Sequence, residues 1–143
     1  NASGKVIQKL DGHKKPARVI QVSGDTIVSG DMNGLIKIWS ARTGECIRDI
    51  SVHTDEISCI RVHPNNPKLF YSCSLDLTVR LLNMETGICS RIYKSFSNLS
   101  SGIHVNTQQR RLYGAGFEGI LVLDADYGQL VGNLSSRKTW CLS

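Results

Sequence analysis

Ser29-Gly-Asp-Met-Asn33-Gly-Leu-Ile-Lys-Ile-Trp39-Ser40 decides the fold, because the chain writes it a second time. Ser72-Cys-Ser-Leu-Asp76-Leu-Thr-Val-Arg-Leu-Leu82-Asn83 follows it position by position at an offset of 43 residues. Downstream, Thr43-Gly44-Glu45-Cys46 and Thr86-Gly87-Ile88-Cys89 keep that offset. A third copy reads Gly114-Ala-Gly-Phe117-Glu118-Gly-Ile-Leu-Val-Leu123-Asp124, with one residue lost after Glu118. A period of this length marks stacked structural units.

Working outward, each copy divides into four short runs separated by turn residues. The first gives Ala17–Val22, Thr26–Gly30, Leu35–Trp39 and Glu45–Ile50. The second gives Ile57–Val62, Leu69–Ser74, Thr78–Leu82 and Ile88–Tyr93, with a loop His63-Pro64-Asn65-Asn66-Pro67 after its first run. The third gives Gly102–Asn106, Leu112–Gly116, Ile120–Leu123 and Gln129–Leu134. The runs are β-branched or aliphatic and about five residues long, and Gly, Asp and Asn fill the gaps, so they read as strands joined by tight turns. No stretch carries a helical stripe over three turns. A four-stranded meander has two faces to cover, and stacking one copy on the next buries what each would leave bare.

On these residues the chain resembles the WD-repeat family of β-propellers. Gly12-His13 opens the first copy, Asn33-Gly34 forms its hairpin and Trp39-Ser40 stands at the family's Trp-Asp place. Val52-His53, Asp76 and Leu82-Asn83 are the matching places in the second copy, and Glu118-Gly119 and Leu123-Asp124 in the third, where Phe96 replaces the His. The resemblance implies an all-β fold: a partial propeller of four-stranded antiparallel blades. Residues 12–50, 52–93 and 96–134 form three blades, 4–10 the last strand of a preceding blade, and 137–143 the first strand of a following one. Closed propellers hold about 4–8 blades. A longer natural chain is therefore expected, and a second copy or partner completing the ring is the alternative.

The family braces a blade with a hydrogen-bond chain of His, Ser or Thr, Asp and Trp. The resemblance assigns this bracing to His13, Ser29 and Trp39 in the first blade, with Asn33 in place of the acid. It assigns it to His53, Ser72 and Asp76 in the second, with Leu82 in place of Trp, and finds Phe96, Gly114, Glu118 and Leu123 in the third. His53, Ser72 and Asp76 also spell the residue types of a nucleophilic triad. Their echo in His13, Ser29 and Asn33 points to structure, and no catalytic residue is assigned.

The loop between the second and third strands opens on the face that such propellers most often use for partners. It carries Met32, Leu75 and Phe117, large apolar residues suited to an interface core. Lys14-Lys15 and Arg137-Lys138 fall on the same face by the family pattern, and Arg110-Arg111 on the opposite one. The expected role is a non-catalytic scaffold for protein–protein interactions within a larger intracellular complex, in cytoplasm or nucleus. Two alternatives stand beside it. One is an RNA- or ribonucleoprotein-associated propeller, suggested by the formal charge of +5. The other is a substrate receptor of a cullin-type ubiquitin ligase, suggested by Trp39-Ser40-Ala41-Arg42, a partial Trp-Asp-x-Arg motif.

The remaining composition bounds other classes. Among the 143 residues, 41% are hydrophobic and 20% charged, enough for a real core. Cys46, Cys59, Cys73, Cys89 and Cys141 make an odd set with no Cys-x-x-Cys, which argues against a disulfide framework or a zinc site. No metal or cofactor is expected. The longest apolar run is only a few residues, so no membrane-spanning helix is expected.

Overall fold

The computed structural model describes residues 4–94, 99–116 and 119–134. Twelve strands run in chain order: β1 Ala17–Ser23, β2 Thr26–Asp31, β3 Leu35–Ser40, β4 Cys46–Ser51, β5 Ile57–His63, β6 Asn66–Ser74, β7 Val79–Asn83, β8 Cys89–Tyr93, β9 Leu99–Asn106, β10 Arg111–Gly116, β11 Gly119–Asp124 and β12 Leu130–Leu134. They form three sheets, β1–β4, β5–β8 and β9–β12, each a simple antiparallel meander with no crossover. The described residues contain no helix. The fold is all-β, built from repeated four-stranded blades.

Each blade turns one face to its neighbour. Val28, Ile36, Ile38 and Ile50 of the first blade meet Ile57, Ile60, Phe70 and Leu82 of the second. Cys59, Tyr71, Cys73, Val79 and Tyr93 on the second blade's other face meet Ile103, Val105, Leu112 and Leu123 of the third. Strand alternation makes this possible, because successive side chains point to opposite faces. Close approach needs small residues at particular points. A Cβ on Gly30 would lie 2.7 Å from Ile57, so only glycine lets the first blade seat against β5.

A side-chain bond repeats between blades. Arg48 Nη2 on β4 donates to the Glu85 carbonyl at 2.7 Å, and Arg91 Nη1 on β8 donates to the Ala125 carbonyl at 2.6 Å. Each reaches from an outer strand to the turn before the outer strand of the next blade. Gln8 Nε2 makes the same reach to the Thr43 carbonyl at 2.9 Å. Residues 4–10, expected as the last strand of a preceding blade, form no strand. An outer strand pairs with its own blade's third strand, and the described residues supply none for it. Val6 and Ile7 are accordingly exposed.

The expected loop His63–Pro67 is shorter than read. β6 begins at Asn66, and His63 pairs with Asn66 across a two-residue turn. A register shift between Val62 and His63 absorbs the extra residues. Residues 137–143 lie outside the described residues.

Candidate functional site

The hairpin turns β2–β3 and β6–β7 lie at one rim of the stack, beside the segments that lead into β1 and β5. Met32 N donates to the Pro16 carbonyl and Leu75 N to the Glu56 carbonyl, tying each turn to the entry of its own blade. Gly34 presses on the next blade: with φ at +83°, a Cβ there would lie 2.5 Å from the His53 carbonyl oxygen. The turns of neighbouring blades are therefore packed parts of one rim.

Beneath the rim sit two histidine-centred networks. In the first blade, His13 Nε2 lies 2.7 Å from Ser29 Oγ, and Trp39 Nε1 donates to that same oxygen at 2.8 Å. The acid facing His13 is Asp31, whose Oδ2 is 3.0 Å from Nδ1. Asn33, expected at this place, contributes only its backbone N–H, which donates to Asp31 Oδ1 at 2.8 Å. Leu35 N donates to the same atom. A carboxylate two residues earlier reaches the ring and also caps the turn. Lys37, buried, seals the far side of Trp39, with Nζ 5.7 Å from the ring centroid and 2.6 Å from Asp49. The Asp49 hydrogen bond raises the Lys37 pKa.

In the second blade, His53 Nδ1 lies 2.8 Å from Asp76 Oδ2, and Nε2 lies 2.7 Å from Ser72 Oγ. Thr78 Oγ1 donates to Asp76 Oδ1 at 2.6 Å, and Thr54 N to Oδ2 at 3.2 Å. Burial pushes the His53 imidazole below its ordinary value, with Asp76 opposing. The neutral ring then donates from Nδ1 to the carboxylate and accepts the Ser72 hydroxyl proton at Nε2. Burial works against the Asp76 charge, but the bonds from Thr78 and His53 outweigh it and hold the carboxyl below its usual range. Leu82 fills the Trp place and joins the apolar contact with the first blade.

Ser72, His53 and Asp76 make the bonds of a nucleophilic triad, but Ser72 is 0% exposed. No substrate carbonyl can approach its hydroxyl, so the arrangement can brace a turn and cannot acylate. Of the third blade's network, Phe96 and Glu118 lie outside the described residues, while Leu123 is fully buried in the core.

Above the networks, Met32 is 41% exposed and Leu75 39%. Phe117 lies outside the described residues. The sequence reading missed two neighbours. Thr78 completes the second network, and Leu77, 42% exposed, adds a further apolar side chain beside Leu75. Leu77 holds φ at +67°, where the matching first-blade residue is Gly34. A leucine in the left-handed region is strained by about 1–2 kcal/mol. Its signal in the sequence was the Asp76-Leu77 pair standing against Asn33-Gly34.

Lys14 and Lys15 are exposed on the segment that enters β1. Arg137 and Lys138 lie outside the described residues. Arg110 pairs with Asp126, and Arg111 Nη1 lies 2.9 Å from Asp124, so that basic pair is matched by acid. Arg42 is exposed on the β3–β4 turn.

Comparison with known proteins adds to this geometry. A family model described as WD domain, G-beta repeat matches residues 4–40 and 44–83. Eukaryotic translation initiation factor 3 subunit I of Neosartorya fischeri is 31% identical over 131 residues, covering 86% of this chain and 38% of that protein. WD repeat-containing protein 75 of Mus musculus is 39% identical over 66 residues, 46% of this chain and 8% of that protein. The crystal structure of the computationally designed Ika4 protein superposes with a TM-score of 0.68 at 26% identity, covering 91% of this chain and 79% of that one. The chain thus spans well under half the length of the natural relatives it matches.

Proposed function

The chain belongs to the WD40 family of G-beta repeats, and from that premise we propose that it is a non-catalytic scaffold that presents apolar anchors to a protein partner within a larger intracellular assembly. One observation carries the reading: Met32 and Leu75, with Leu77 beside them, stand partly exposed on turns whose backbones are held from below by the buried Asp31 and the half-buried Asp76. Holding the turns rigid before binding lowers the ordering cost of the complex. Exposed apolar side chains at the rim of a stiff scaffold are the kind of residue that dominates interface cores. Phe117 belongs to the same proposal by its place in the repeat, and Lys14 and Lys15 supply a polar margin. A relative whose name makes it a subunit of an initiation factor supports assembly as the setting. The position of this chain inside the cell belongs to the same reading.

The test is affinity capture from lysate with the chain, and with Met32→Ser, Leu75→Ser and Phe117→Ser combined. The reading expects the triple variant to lose its specific partners while its melting temperature holds within a few degrees. Undiminished capture by the well-folded variant would overturn it.

A further inference from the structure

Cys59 and Cys73 take no part in the networks described above. They face each other directly across β5 and β6. Opposed residues on antiparallel strands have Cα atoms about 4.5–5.5 Å apart, inside the span of about 4.4–6.8 Å that disulfides bridge. Cys59 is 7% exposed and Cys73 0%, and both lie among Val79, Ile103 and Val105 where the second and third blades meet. Gly102 of the third blade leaves room there: a Cβ on it would lie 3.7 Å from the Cys59 sulfur, an ordinary contact. The matching places hold Val19 opposite Gly30 in the first blade and Ala115 opposite Gly102 in the third. The second blade alone among those described carries two sulfurs face to face.

The two thiols differ in character. Cys73 beside it outweighs burial and holds the Cys59 thiol down to about 6. Cys59 beside it, with burial, pushes Cys73 well up. Of the two, Cys59 has the lower pKa and the greater exposure, so attack on an oxidant starts there.

We propose that Cys59 and Cys73 form a dithiol–disulfide pair, closed by a peroxide and opened by a thiol reductant, that cross-links β5 to β6 inside the second blade. The Cys59 thiolate attacks one peroxide oxygen. The O–O bond breaks, a sulfenic acid forms on Cys59, and the departing hydroxide takes a proton to become water. The Cys73 sulfur then attacks the Cys59 sulfur, the S–S bond forms, and the sulfenic oxygen leaves with the Cys73 proton as a second water. Two thiols and one peroxide thus give one disulfide and two waters.

The chain is treated with hydrogen peroxide at neutral pH, alkylated under denaturing conditions and cut with trypsin. The expected product is the peptide Asp49–Arg61 joined to Leu69–Arg80, two hydrogens lighter than their sum and released by dithiothreitol. A Cys46→Ser, Cys89→Ser, Cys141→Ser variant keeps only the pair, and its two thiols should disappear together. In Cys73→Ser, Cys59 should stop at a sulfenic acid that dimedone traps. If that variant fails to fold, the peptide map of the unaltered chain decides. Cross-links through Cys46, Cys89 or Cys141, sulfinate on either peptide without the joined product, or two free thiols after a dose that oxidises the unfolded chain would each overturn the proposal.

Discussion

Two hairpin turns of equal length solve one problem with different residues. In Asp31-Met32-Asn33-Gly34 the carboxylate stands first, and in Ser74-Leu75-Asp76-Leu77 it stands third. Each nonetheless places an oxygen at 2.8–3.0 Å from the histidine Nδ1, with a serine hydroxyl 2.7 Å from the other ring nitrogen. The selected quantity is the position of a charge in space, since a buried ring N–H needs an acceptor wherever it comes from. The turns differ in what they give up. The first has Gly34 where the chain must go left-handed and Trp39 below the serine. The second accepts a strained Leu77, has no Trp, and gains Thr78 as an extra donor to its acid.

The largest expected effect comes from removing that freedom in the first turn. Gly34→Ala forces a Cβ against the His53 carbonyl at a φ alanine avoids, and should cost about 2–4 kcal/mol in chemical denaturation. A loss under about 1 kcal/mol would mean the two blades are not pressed together there. Next is Asp31→Ala, which strands His13 and two turn N–H groups and should cost about 1–3 kcal/mol. Asn33→Ala, its neighbour, should stay within about 0.5 kcal/mol. Equal losses would return the acid's role to Asn33. Leu77→Gly relieves the left-handed strain while adding entropy to the unfolded chain, and should be neutral to stabilising by about 1 kcal/mol. A clear destabilisation would show that Leu77 packs more than its exposure implies.

The smallest effect is a pH dependence carried by the second blade. Folding holds the His53 pKa below its ordinary 6.5, so the unfolded chain binds a proton first. That contribution to stability is complete above about pH 6.5 and is lost as pH falls through the lower folded value. His63, also pushed down by burial, adds to the same slope. In a His63→Gln background, His53→Gln should flatten melting temperature against pH below 6.5. An unchanged slope would place the titrating group elsewhere. The lowered Asp76 acts in a separate window, its stability present above the ordinary carboxylate range and lost at more acid pH.

The blades were legible in the sequence because period-2 alternation and Gly-Asp turns recur at a fixed offset, and sheets stack only one way on such a pattern. His13, Ser29, Trp39, His53, Ser72 and Asp76 were legible for the same reason. Asp31 was not, because a repeat alignment compares like positions and the carboxylate had moved two places along a turn. Thr78 was hidden because a threonine in a strand reads as β-propensity until its hydroxyl is seen to bond Asp76. The Asn66–Pro67 extension of β6 escaped because proline signals a loop, although the start of a strand beside a register shift tolerates it. Residues 4–10 read as a strand from their pattern, but a strand also needs a partner, which pattern alone does not provide.

Backbone ¹⁵N relaxation at Leu75 and Met32, in the unaltered chain and in Asp76→Ala, tests most directly whether the carboxylates beneath them hold the β2–β3 and β6–β7 turns rigid. The account predicts order parameters near about 0.85 for both residues in the unaltered chain, and in the variant a fall at Leu75 toward about 0.6 with Met32 unmoved. Leu75 staying as ordered without Asp76 as with it would contradict the account.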